Sequence, residues 1–155
     1  MNFADTNWLR AMFLRTEDHQ DREVIVERFH RRDRTQVGLS HVVLLEARNV
    51  FSRITGEPDP AEWTLLESGF DGRFYLDPMN WDLVRRNTLA LLQRYAHKAT
   101  LGTFDMTVLA SAQLAGATRL LSFDEMIKAV AVAEGMEVFP PLGDEGRQIL
   151  AALRR

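Results

Sequence analysis

The chain has 155 residues, 46% of them hydrophobic and 26% charged, with a formal net charge of −3 and no cysteine. That is enough for one domain, residues 1–155, with a proper core. It lacks the global basic signature of a nucleic-acid binder, although a local patch can work on an acidic protein. The missing cysteine excludes disulfides, thiolate metal sites and a cysteine nucleophile. No apolar run approaches the ~18 residues of a membrane span, and the start, with an acid at position 5, is unlike a signal peptide, so a soluble cytoplasmic protein is expected.

In chain order, residues 2–4 (NFA) make a short buried strand, and TNWLRAMFL after them has helical spacing through Trp8, Met12 and Phe13. DREVIVERFHRR (21–32) reads as an amphipathic helix with Val24, Ile25, Arg28 and Phe29 near one face, and TQVGLS (35–40) as a second strand. Ser40 is placed to cap a helix over 41–54. The prolines of GEPDP break the chain before a short helix in AEWTLLESGF, and RFYLDP (73–78) is a third strand. The longest helix is expected in 79–98, followed by another over 103–116 that ends at Gly116. TRLLSFD (118–124) is an apolar strand, EMIKAVAVAEG a helix, MEVFP a last strand, and the tail GDEGRQILAALRR one more short helix. Strands alternating with helices predict an α/β fold whose mostly parallel sheet is covered on both faces. In such sheets ligands sit outside the carboxyl ends of the strands.

Asp5 follows the first strand, Asp105 opens a helix and Asp124 ends the strand RLLSF. Any one of them alone reads first as a helix cap or a first-turn acid. Two of the three, however, lie at the edge where this architecture binds ligands. Glu46 has Val42, Val43, Asn49 and Val50 as its helical neighbours, which puts a carboxylate on or beside an apolar stripe. It either reaches water from the stripe edge or is paired or metal-bound. Val108, Leu109 and Ala112 likewise carry the face of Asp105 toward the core.

Four carboxylates converging on one pocket repel one another unless a cation sits among them. Magnesium or manganese suits an all-oxygen site and can lower the pKa of a water while stabilising charge on a phosphoryl oxygen, so metal-assisted phosphodiester hydrolysis fits the acids best. No Walker loop, GxGxxG or GxSxG competes. His19, His30, His41 and His97 stand alone, as surface or helix-face residues.

With these acids in place, FADTNWL, LSHVVLLEARNVF and TFDMTVLASAQLAGATRLLSFDE followed by AEGMEVF resemble the PIN-domain nucleases, and more closely the VapC-type toxins of prokaryotic toxin–antitoxin pairs. The third motif is the most specific; residues 55–100 match only in helical character. The resemblance implies a three-layer α/β/α sandwich and a magnesium- or manganese-dependent endoribonuclease that hydrolyses RNA through a metal-activated water. Asp5, Glu46, Asp105 and Asp124 would be its catalytic and metal-binding acids. Thr6 and Ser122 match positions where the family often has a hydroxyl beside the acids; each also reads as a helix cap. The resemblance further implies a homodimer and a cognate antitoxin covering the acidic groove. Glu125 departs from the pattern, adding an acid beside Asp124 that is expected to be a bystander, and the first strand is very short.

RNA needs positive charge beside the acids. Arg28, Arg31, Arg32 and Arg34 form the densest basic run, whose ordinary reading is a solvated helix face, and Arg10, Arg48 and Arg53 lie nearer the acids in sequence. Two other readings remain at this point. A catalytically silent PIN-fold protein-binding module would be free to lose an acid, yet all four are present. A receiver-like phosphotransfer domain would want an acidic pair after the first strand and a Lys after the last, which FADTN and EVFPPL do not supply.

Overall fold

A computed structural model describes all residues, Met1–Arg155. Five strands, β1 (Asn2–Ala4), β2 (Val37–Leu39), β3 (Phe74–Leu76), β4 (Arg119–Leu121) and β5 (Glu137–Phe139), form one sheet in the order β3-β2-β1-β4-β5. Every pairing is parallel, with Phe3 opposite both Gly38 and Leu120. Each strand has three residues, just long enough to cross the core. Those of β1 and β2 are buried throughout, as expected of central strands covered on both faces.

Eight helices supply the cover: α1 (Thr6–Phe13), α2 (Gln20–Arg32), α3 (His41–Thr55), α4 (Ala61–Ser68), α5 (Trp81–Tyr95), α6 (Thr103–Leu114), α7 (Glu125–Ala133) and α8 (Asp144–Leu153). Steps from β1 to β2 and from β2 to β3 run in one direction across the sheet; those from β3 to β4 and from β4 to β5 run in the other. Right-handed crossovers therefore put α1–α4 on one face and α5–α7 on the opposite one. The packing agrees, with α1 against α2 and α3, α5 against α6, and α7 against α8. This is the expected α/β/α sandwich. Phe3, Trp8, Phe51, Phe74, Met106 and Leu120 lead a continuous core. Direction reverses between β1 and β4, so the loops leaving these neighbours diverge and open a crevice at their carboxyl ends.

The buried face of α2 differs from the sequence expectation. It carries Glu23, Val26 and Phe29, while Val24 and Arg28 are exposed. The cause is Glu23, whose carboxylate accepts a 2.8 Å bond from the Thr16 backbone N–H and so finds a partner indoors. His30 also faces inward: its Nε2 accepts from Trp8 Nε1 at 3.1 Å, and burial, then the charge of Arg73, lowers its pKa to about 4. Glu125 is no bystander. It pairs with the buried ammonium of Lys128 at 2.8 Å and accepts from the Gly143 N–H, fastening the start of α8 to α7.

Candidate acidic site

Asp5 is the first residue beyond β1, and its own N–H bonds the carbonyl of Leu121 on β4 at 3.0 Å. It caps α1, with Oδ1 accepting from the Thr6 N–H at 2.8 Å. Its second oxygen accepts the Ser122 hydroxyl at 2.9 Å and, more loosely, Asn7 Nδ2 at 3.4 Å. Asp124 caps α7 in the same manner, Oδ1 accepting from the N–H groups of Met126 and Ile127. Ser122 connects the two caps, since its Oγ also accepts the Asp124 N–H at 3.0 Å. Asn7 closes the network by accepting the Phe123 N–H at 3.0 Å. Two helix starts are thus locked side by side at the crevice.

Asp105 enters from the first turn of α6, where the N-cap Gly102 offers no side chain; a Cβ there would come within 3.0 Å of the Asp105 carboxylate. Glu46 comes from α3, half-buried beside the buried Val43, Ala47 and Val50. All four acids line one cavity of about 320 Å³ together with Thr6, Asn7, Arg10, Asn49 and Arg53. Ser122 lies beneath it, fully buried.

The electrostatics are those of crowded like charges. Burial, then repulsion from Asp105, raises the Asp5 pKa to about 7 despite the bonds from Thr6 and Ser122. Burial, then Asp124 and Glu46, raises Asp105 to about 6. None of the four acids has an ion-pair partner within the protein. Arg10 turns to Asp18 at 3.5 Å, although it shares the cavity with the acids. Inside the cavity wall, Thr6 Oγ1 and Arg10 Nε are buried without any hydrogen-bond partner. The carboxylates stand around the cavity rather than touching, and no three of them are close enough to hold one ion together without side-chain adjustment.

Asn7 and Asn49 were not visible as site residues in sequence; the spacing of Asn7, two after Asp5, was the one available signal. Of the arginines near the acids in sequence, Arg10 and Arg53 reach the cavity. Arg48 instead bonds Ser52 and the Pro58 carbonyl and lies over the Trp63 ring. The 28–34 run lies elsewhere.

Solved structures share this architecture. Mycobacterium tuberculosis VapC20, a sarcin–ricin-loop-cleaving toxin, superposes with a TM-score of 0.67 at 19% identity, over 83% of this chain and 94% of that one. FitAcB from Neisseria gonorrhoeae gives 0.58 at 15% identity over 91% and 98% of the two chains. VapBC2 from Rickettsia felis, bound to a promoter DNA fragment, gives 0.59 at 14% identity over 88% and 96%. No curated sequence matches the chain. The family model of the PIN domain matches residues 3–133, a span that begins inside β1 and ends with α7, and so takes in all four acids. The chain therefore belongs to the PIN domain family.

Proposed function

We propose that this protein is a divalent-metal-dependent endoribonuclease that hydrolyses RNA phosphodiester bonds, and that it acts as the toxin of a toxin–antitoxin pair. The observation that carries the reading is the composition of the cavity: four carboxylates without an internal cation, beside two arginines that do not neutralise them.

Magnesium or manganese fits this donor set. The donors are all hard oxygens, two of them acids whose pKa values are raised toward neutrality by burial and then by repulsion from their fellow acids, with the orphaned Thr6 hydroxyl beside them. Asp5, Glu46, Asp105 and Asp124 are the residues that would hold the ion. When bound, it would supply Lewis-acid stabilisation of the phosphoryl oxygens and a more acidic water. Ser122 and Asn7 orient the Asp5 carboxylate, as partners behind a ligand commonly do. Arg10 and Arg53 offer guanidinium groups to the phosphate. A carboxylate of the set accepts the proton of the attacking water.

The likeness to a sarcin–ricin-loop-cleaving toxin, and to VapBC2 solved with promoter DNA, supports a toxin paired with a cognate antitoxin, which on this reading covers the acidic groove; a homodimer acting in the cytoplasm is proposed with it. The test is cleavage of single-stranded RNA with magnesium or manganese by the purified protein. Asp5→Asn and Asp105→Asn are expected to abolish cleavage with the fold intact. Full activity in either variant, or in excess chelator, overturns the proposal. Growth arrest on expression, relieved by the product of a neighbouring gene, tests the toxin assignment.

A further inference from the structure

The densest basic run, left unexplained by the acidic cavity, is joined in the fold by arginines from distant parts of the chain. Two hollows flank the C-terminal half of α2. One, of about 360 Å³, is lined by Arg15, Arg31, Arg34 and Arg73 with His30. The other, of about 570 Å³, is lined by Arg28, Arg32, Arg34 and Arg119. Arg34 borders both. Arg34 and Arg73 lie just before β2 and β3, and Arg119 opens β4, so this surface is the amino edge of the sheet. The acids stand at the carboxyl edge, one three-residue strand or roughly 10 Å away.

The carboxylates nearby are already committed. Glu27 pairs with Arg31, Asp33 and Glu137 with Arg119, and Glu23 with the Thr16 N–H. Arg28, Arg32, Arg34 and Arg73 have no carboxylate partner. Proximity to the C-terminus of α2 accounts for the placement of Arg31 and Arg32, but not for Arg34 and Arg73, which belong to loops. Because His30 Nε2 accepts from Trp8, the proton of its neutral ring sits on Nδ1, so this wall too presents a donor. Unpaired guanidinium forks and a ring N–H around concave hollows suit phosphate oxygens in a row.

We propose that the amino edge of the sheet is a second RNA-binding site, in which Arg28, Arg32, Arg34 and Arg73 hold the phosphodiester backbone of the substrate away from the cut. Contacts of this kind position a nucleic acid without reading its sequence. The site gives an acidic protein a way to retain a polyanion near a pocket of carboxylates. Its ligand identity rests on the nuclease reading; its charge arrangement does not.

Binding of a labelled single-stranded RNA of about 20 nucleotides, measured in chelator across a salt series, tests the proposal free of cleavage. Arg34→Ala/Arg73→Ala and the exposed pair Arg28→Ala/Arg32→Ala are each expected to weaken binding about tenfold and flatten the log–log salt slope by about 1.4. Arg85→Ala, on the far α5 surface, serves as the control and leaves both unchanged. Retention of wild-type affinity and slope by both pairs overturns the site, as does an equal loss in the control. Tighter arginine-dependent binding of oligoglutamate or duplex DNA than of RNA also overturns it, assigning the surface to a protein partner or to DNA. The two readings separate cleanly. Loss of cleavage in Asp5→Asn with undiminished RNA binding by the arginine pairs removes only this site. Active Asp5→Asn with weakened arginine pairs leaves this site standing and removes only the assignment of the acids as the catalytic centre.

Discussion

Ser122 donates its hydroxyl to Asp5 across 117 positions of sequence, tying the end of β4 to the end of β1 at 2.9 Å. The bond favours the charged form of a carboxylate that burial pushes the other way. Ser122→Ala is therefore expected to raise the Asp5 pKa further. Activity should fall by about tenfold, within the range seen when a partner behind a metal ligand is lost. The acid limb of the rate–pH profile should move to higher pH, so that part of the deficit recovers in alkaline buffer. A uniform loss at every pH would assign Ser122 a packing role only.

Removing charge from the cavity should stabilise the metal-free protein. Burial and then repulsion from Asp105 push the Asp5 pKa up to about 7 in the folded protein, from the ordinary 3.8 taken for the unfolded chain. Between these values the native state binds the extra proton, so stability falls as pH rises through the window and stays low above it. Asp5→Asn escapes this cost, gaining up to a few kcal/mol above neutrality at about 1.4 kcal/mol per pK unit. Its amide oxygen still caps α1. Urea denaturation of the wild type and variant across the pH window checks the sign: the gap between them should widen with pH.

Divalent ions should reverse the same penalty. Magnesium or manganese at about 100 times its Kd is expected to add about 2.7 kcal/mol to the wild type, seen as a higher thermal midpoint. Asp5→Asn and Asp105→Asn should lose most of that gain. Equal ion-induced shifts in the variants would place the ion elsewhere.

His30 offers an independent check on the interior of α2. Its pKa of about 4 lies below the usual 6.5, so it contributes stability above the unfolded value and loses it as pH falls toward the folded one. Its ring resonances should show no titration between roughly pH 5 and 8. Trp8→Phe, which deletes the indole donor to Nε2, should leave the fold standing but loosen this wall.

At the other end of the chain, Glu125→Ala should destabilise by about 3 kcal/mol, because it strands the buried Lys128 ammonium with only the carbonyls of Pro140 and Pro141. Cleavage per folded molecule should hardly change. Chemical denaturation alongside an RNase assay separates the two effects.

The alternation of elements was legible because each strand is a short apolar run and each helix carries a local cap or breaker; Ser40 and Gly116 act where they were expected. Glu46 was legible for a similar reason, as a charge on an apolar stripe. What sequence hid were relations between distant residues. Asn7 looks like any polar helix residue until Ser122 and Phe123 arrive beside it. The inward turn of Glu23 depends on the Thr16 N–H, and no periodicity records it. Glu125 seemed idle although Lys128 stands one turn on, because the burial of that pair and the bond from Gly143, 18 residues away, come only with the fold. The run at 28–34 was visible, but its union with Arg73 and Arg119 depends on the sheet order.

That sheet order also dictates when the acidic cavity can exist during synthesis. The strand that carries Asp5 is made first yet sits in the middle, and the neighbour that supplies Ser122 and Asp124 is the fourth of five to leave the ribosome. Until β4 and the residues after it have emerged, Asp5 lacks both its hydroxyl partner Ser122 and the last of its three fellow acids, Asp124. A chain whose proposed target is RNA thus begins to leave the ribosome unarmed, and acquires its site only after its fourth strand has followed.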